Sequence, residues 1–187
     1  EVSAGTYEVS TLLRGRLGTD DHMAHAAGER VVLLDADGIA RVDIETSKIG
    51  LQRYLSAEVI NGTADNETET DFTPNGENLR PFSPVHIQGA RDGSGNLTIS
   101  WVRRARVGGA WRDYVDVPLA EDSEAYEIEI LDGSGDVVRT LNSTTPNAVY
   151  SSADQTTDFG TTQGAVNLRV FQMSEMVGRG RPGIATV

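Results

Sequence analysis

The sequence predicts a mainly β protein whose second half is a β-sandwich, and three observations carry that prediction. Short runs of β-type residues recur between turn signals, and glycine is abundant, at 20 of 187 residues. Six such runs crowd into the final ~100 residues, the density expected of two packed antiparallel sheets. Two near-identical turns, Asp92-Gly93-Ser94-Gly95 and Asp132-Gly133-Ser134-Gly135, separate runs that would pair as hairpins.

The N-terminal part, residues 1–80, reads as a small β-rich domain. Tyr7 to Leu13 has strand composition, and Gly15-Arg16-Leu17-Gly18 is a turn. Thr19 is placed to cap a short helix over 19–27, with Asp20 and Asp21 in the first turn, where the helix dipole favours acids. Gly28 would stop it. Arg30 to Leu34 and Ile39 to Ile44 form a predicted hairpin about Asp35-Ala36-Asp37-Gly38, and a further strand falls within Leu51 to Ile60.

At Asn61 the texture changes. Residues 61–78 hold five acids and no base among few apolar side chains, which predicts a solvated acidic loop or linker. Pro81 and Pro84 follow, placing the domain boundary at 80/81. Beyond it the expected strands are Val85–Ala90, Asn96–Arg106, Ala125–Leu131, Val137–Leu141, Ala148–Ser151 and Ala165–Met173.

Composition removes several function classes. The net charge of −12 opposes a general nucleic-acid surface, which must displace counterions with positive charge, and it opposes an anionic membrane surface. Without cysteine there is neither a disulfide nor a thiolate metal ligand. No apolar run reaches the ~20 residues of a membrane-spanning helix. The opening Glu1-Val2-Ser3 fits a piece of a longer polypeptide.

From Pro84 onward the chain resembles a fibronectin type III domain. In "NLTISWVRR" the alternation puts Leu97, Ile99 and Trp101 on one face, like that family's strand B with its core tryptophan. "EAYEIEIL" resembles strand C, with Tyr126, Ile128 and Ile130 in phase, and "VNLRVFQMSEMVGRGRP" resembles strand F and the glycine-rich turn to G. Two departures stand out. The family's strand-F tyrosine would fall at Val166, so its tyrosine corner is missing, and Val107 to Glu124 is a long stretch between strands B and C.

A second resemblance spans nearly the whole chain. "LLRGRLGTDDHMAHAAGERVVLLD", "LRPFSPVHIQGARDGSGNLTISWVRRAR", "VDVPLAEDSEAYEIEIL" and "TTDFG" follow one another in order. Together they look like the C-terminal region of the large baseplate, host-specificity protein of gene transfer agents and related siphophages. That resemblance implies a virion or gene transfer agent particle, at its tail tip. It also implies other tail and baseplate subunits as partners, a homotrimeric assembly, and contact with a host-surface glycan or protein.

The candidate chemistry weighs toward structure. His22 and His25 could share a helix face and bind a metal, with Asp20, Asp21 or His86 as third ligand, but no glutamate lies between them as in zinc hydrolases. Packed or surface histidines are the default reading, and no metal or cofactor is expected. Asp35-Ala36-Asp37-Gly38 lacks the later ligands of a calcium loop and reads as a turn. Gly-Arg-Leu-Gly lacks the phosphate-loop pattern, and no nucleophile elbow occurs, so no catalytic residue is assigned. Arg103, Arg104, Arg106 and Arg112 with Trp111 and Tyr114 form a basic–aromatic cluster. Trp111, Arg112 and Tyr114 are the candidate interface residues, since such side chains dominate binding energy when desolvated. The alternatives are that the arginines lie on solvent-facing strand positions and balance the acids of "AEDSE", and that Trp111 is buried inside its own domain.

The expectation is a non-enzymatic structural and adhesion module. Its rivals are a carbohydrate-binding or spacer module of a secreted glycan-degrading enzyme, and a metal-dependent hydrolase using His22 and His25.

Overall fold

The computed structural model describes residues 6–13, 24–31, 42–56, 69–109 and 114–187. The chain divides into two compact units, Gly28–Leu79 and Glu1–Ala27 with Arg80–Val187.

In the smaller unit, β1 (Arg53–Leu55) pairs antiparallel with β2 (Thr70–Phe72), setting Arg53 opposite Phe72 and Leu55 opposite Thr70. The strand expected within Leu51–Ile60 is β1. β2 corrects the reading of 61–78 as loop throughout: a polar Thr-Asp-Phe run becomes a strand because β1 completes its backbone hydrogen bonds and Gln52 reaches Asp71 at 3.2 Å. Single 3₁₀ turns occur at Thr46–Lys48 and Glu77–Leu79, and the Gly50 N–H donates to the Pro74 carbonyl at 2.9 Å.

Three N-terminal expectations are corrected. Tyr7 to Leu13 is not a strand, and Tyr7, Val9, Leu12 and Leu13 are exposed. Strand composition needs a packing partner to express itself, and these residues bury nothing. Residues 24–26 carry no helix, only a turn at Ala27-Gly28; they are exposed and bury nothing that could repay the cost of helix nucleation. The remainder of the expected helix, 19–23, lies outside the described residues, as does the expected turn at 15–18. Arg30 and Val31 and residues 42–44, the described ends of the predicted hairpin, are not strand, with Val31, Val42 and Ile44 exposed. The rest of that hairpin, with Asp35 to Gly38, lies outside the described residues.

The larger unit is a β-sandwich. One sheet runs β3 (Val85–Arg91), β4 (Leu97–Val102), β7 (Asn147–Tyr150). The other runs β10 (Gly183–Thr186), β8 (Asn167–Ser174), β5 (Tyr126–Leu131), β6 (Val137–Ser143), with the short β9 (Gly178–Arg179) also on β8. All the pairings are antiparallel. This three-plus-four strand order is that of a fibronectin type III domain, and the protein is mainly β. β4 is buried at every second residue, so Leu97, Ile99 and Trp101 face inward. Tyr126, Ile128 and Ile130 meet them from β5, and Leu168 and Val170 from β8. Trp101 and Tyr126 form an edge-to-face pair with centroids 5.0 Å apart.

The twin turns fold alike. In each, the aspartate carboxylate accepts from the backbone N–H groups two and four residues on: Asp92 from Ser94 and Asn96, Asp132 from Ser134 and Asp136, all at 2.8–2.9 Å. The fourth residue, Gly95 or Gly135, takes the left-handed conformation that this closure requires, with φ of 83° and 90°.

The expected proline-rich start and glycine-rich end of the sandwich meet each other. Arg181 N–H donates to the Pro81 carbonyl at 2.9 Å. A Cβ on Gly180 would stand 2.7 Å from that carbonyl oxygen, and one on Gly183 would stand 2.3 Å from the Pro84 oxygen. Only glycine permits the two segments to lie this close.

Candidate functional site

The long connection from β4 to β5 leaves one sheet and enters the other, and two arginines hold its stems. Arg103 donates to Asp116 at 3.0 Å and to the carbonyls of Val117 at 2.7 Å and Pro118 at 3.2 Å, with Glu124 at 3.9 Å. Arg106 pairs with Glu121 at 2.9 Å and donates to the Ala120 carbonyl at 3.0 Å. The Glu121 side chain is 4% exposed, so this ion pair is sheltered from water. Gly108 lies where a Cβ would sit 3.0 Å from the Pro118 ring. Arg104 stacks over Phe82 at 5.3 Å from the ring centroid.

These contacts decide what the cluster offers. Arg103 and Arg106 are committed to carboxylates and carbonyls of their own loop, as the charge-balancing alternative expects for Glu121 and Glu124 of "AEDSE". They are not a cationic patch for an anionic ligand. Tyr114 is fully exposed and has a left-handed backbone, φ 60°, as does Ala120 at 62°. Val115 and Val117, which follow Tyr114 in the chain, are exposed, as is Val107 earlier in the loop. Trp111 and Arg112, the other two candidate interface residues, lie outside the described residues.

The histidines are not brought into a described metal site. His22, Asp20 and Asp21 lie outside the described residues, and His86 is exposed at an irregularity in β3. Among the described residues no three His, Asp or Glu side chains are grouped to hold a metal ion. No described helix is long and apolar enough to cross a membrane.

The polar interior of the sandwich was not legible as a site. The connection from β7 to β8 contains α1 (Ser152–Phe159), capped by Ser151, whose hydroxyl accepts from Asp154 N–H at 3.0 Å, and ended by Gly160 in the left-handed conformation. The signal was present in the sequence: Ser151-x-x-Asp154 is a capping-box pattern with a glycine stop after it. Gln155 on α1 is fully buried and fully engaged. Its amide donates to the carbonyls of Gly95 and Tyr150, and its oxygen accepts from Arg91 and from Gln163 N–H. Val166, the position where the resemblance would place a tyrosine, is buried.

A second network covers the outer face of the other sheet. Glu129, buried, meets Arg169 at 3.1 Å and Arg179 at 2.7 Å, and Arg179 also pairs with Glu127 while lying 4.8 Å over Phe171. The buried Glu129 carboxylate thus has two cationic partners, which is what makes burying it tolerable.

No family model and no curated protein matches the chain. Among solved structures it is similar to the rat CD45 extracellular region, domains d3–d4, at 15% identity and a TM-score of 0.39, over 99% of this chain and 84% of that one. It is similar to the FN5 domain of Drosophila Lar at 15% identity and 0.34, over 57% of this chain and 94% of that one. A myokine structure aligns at 13% identity and 0.37, over 57% and 95%. With similarities this distant, the strand order of the larger unit is what identifies its fold as fibronectin type III-like.

Proposed function

We propose that this chain is a non-enzymatic structural and adhesion module of a phage-type tail baseplate, acting at the tail tip in assembly and in contact with the host envelope. The ordered sequence strings that resemble gene transfer agent and siphophage baseplate proteins support the particle. The observation that carries the adhesive role is the β4–β5 loop. Its stems are clamped by Arg103 and Arg106, and its exposed residues, among the described ones, include Val107, Tyr114, Val115 and Val117. A clamped loop loses little conformational freedom on binding, which is how preorganised surfaces gain affinity. Tyr114, with Trp111 and Arg112, is the contact set, and its partners are neighbouring tail subunits or a host-surface glycan or protein, within a homotrimeric tip.

The test uses assembled particles carrying Tyr114→Ala or Trp111→Ala. The expected result is a variant chain that melts with the wild type while particles lose tail assembly or cell attachment. Particles that assemble and attach normally with both variants overturn the assignment.

A further inference from the structure

We propose that Asn75 is a site of spontaneous deamidation, converted through a succinimide to aspartyl and isoaspartyl products in the folded chain. The sequence holds two Asn-Gly pairs, at Asn61 and Asn75. Glycine offers no side chain to shield its backbone nitrogen, so in this pair that nitrogen can approach the neighbouring amide carbon.

The surroundings of Asn75 leave both reacting groups open. Asn75 is exposed between the buried Pro74 and the 3₁₀ turn at Glu77–Leu79. The Pro74 carbonyl is held by Gly50 N–H at 2.9 Å and the Gly76 carbonyl by Leu79 N–H at 2.8 Å, which fixes the chain on either side. Among the described residues, no hydrogen bond engages the Asn75 side chain or the Gly76 nitrogen.

The other candidates are protected by the fold. Asn96 donates from its amide to Asp92 at 2.8 Å and accepts from Ser152 N–H at 2.9 Å. Asn142, Asn147 and Asn167 lie within strands. Asp92-Gly93 and Asp132-Gly133 could form the same ring, but each carboxylate is occupied by two backbone N–H donors.

In the reaction the Gly76 nitrogen bonds to Cγ of Asn75, the Cγ–Nδ2 bond breaks, and ammonia leaves with the proton that the nitrogen gives up. Water then opens either carbonyl of the ring, giving aspartate or an isoaspartyl linkage. The balance is one water consumed and one ammonia released, with no redox partner. The product places a new carboxylate on the wall of a cleft in the smaller unit that already carries Asp43 and Glu77.

The test incubates the full chain at neutral and mildly alkaline pH. Cleavage after Glu69 and Glu77 puts Asn75 on a peptide separate from Asn61. Mass spectrometry and isoaspartyl methyltransferase labelling read the conversion. The expected result is time-dependent conversion at Asn75, faster at the higher pH, with Asn78, Asn96 and Asn142 unchanged and labelling of this peptide lost in Asn75→Gln. An Asn75 that stays intact in the folded chain, whether or not it converts in urea, overturns the proposal.

Discussion

The Tyr150 hydroxyl donates to the Asp158 carboxylate at 2.7 Å, joining the end of β7 to the last turn of α1. Arg139 on β6 takes both oxygens of the same carboxylate, at 2.6 and 2.9 Å, and reaches Asp154 at 3.0 Å. One aspartate thus ties both sheets to the helix between them. The Arg139 hydrogen bond, with help from Tyr150, holds the Asp158 carboxyl below its usual pKa. A carboxylate depressed by folding contributes stability at neutral pH, and that contribution fades as pH falls below the usual aspartate value of about 3.9 toward the lowered one. Melting temperature should therefore drop across that acid window, and Asp158→Asn should flatten the drop. An unchanged acid profile in the variant would count against this pairing.

The two buried tyrosines give the opposite limb. Burial, then the hydrogen bonds to Glu124 and Asp158, push the phenols of Tyr126 and Tyr150 up. A raised folded pKa means stability that is complete below the unfolded value of about 10 and is lost as pH rises beyond it. Denaturant titrations between mildly and strongly alkaline pH should show this loss, and Tyr150→Phe should reduce its slope at a neutral-pH cost of about 1 kcal/mol. A variant with the wild-type alkaline slope would assign the loss elsewhere.

Trp101 is the largest side chain in the sandwich core, at 5% exposure. In the full chain, Trp101→Ala should cost about 3–5 kcal/mol, seen as a lower denaturant midpoint. A change under about 0.5 kcal/mol, typical of surface positions, would place the indole outside the core.

Gly183→Ala tests the seam between the two ends of the sandwich. With the Pro84 oxygen 2.3 Å from the new Cβ, backbone must shift, and overpacking of that kind costs about 1–3 kcal/mol. Gly133→Ala, which meets nothing within 4 Å, is the control and should be near neutral. Equal melting of the two variants would contradict the close approach.

Runs of β-type residues between turn signals located β3 to β8, and the period-two pattern is sharpest in β4, which has one face in the core and one in water. The Asp-Gly-Ser-Gly turns were legible for a local reason: the aspartate and the glycine that close each turn lie within four residues. α1 escaped notice because its eight residues bury only Gln155, so its hydrophobic signal is weak and its capping residues had to carry the reading. β2 escaped because a three-residue polar strand is defined by its partner. In the N-terminal third, Val9, Val31 and Ile44 have strand chemistry but face solvent. Residue type set a preference there, and no described packing realised it.

The sequence by itself determined the sandwich, its inward-facing residues and its hairpin turns, since burial periodicity and turn chemistry are written in neighbouring residues. Only the tertiary structure decided how the polar groups are spent. Arg103 and Arg106 meet acids more than ten residues away, Arg91 meets Gln155 across sixty-four, and Arg179 meets Glu129 across fifty. No local pattern encodes such pairs. They arise because each burial leaves a charge or amide that must find a partner wherever the fold brings one within reach.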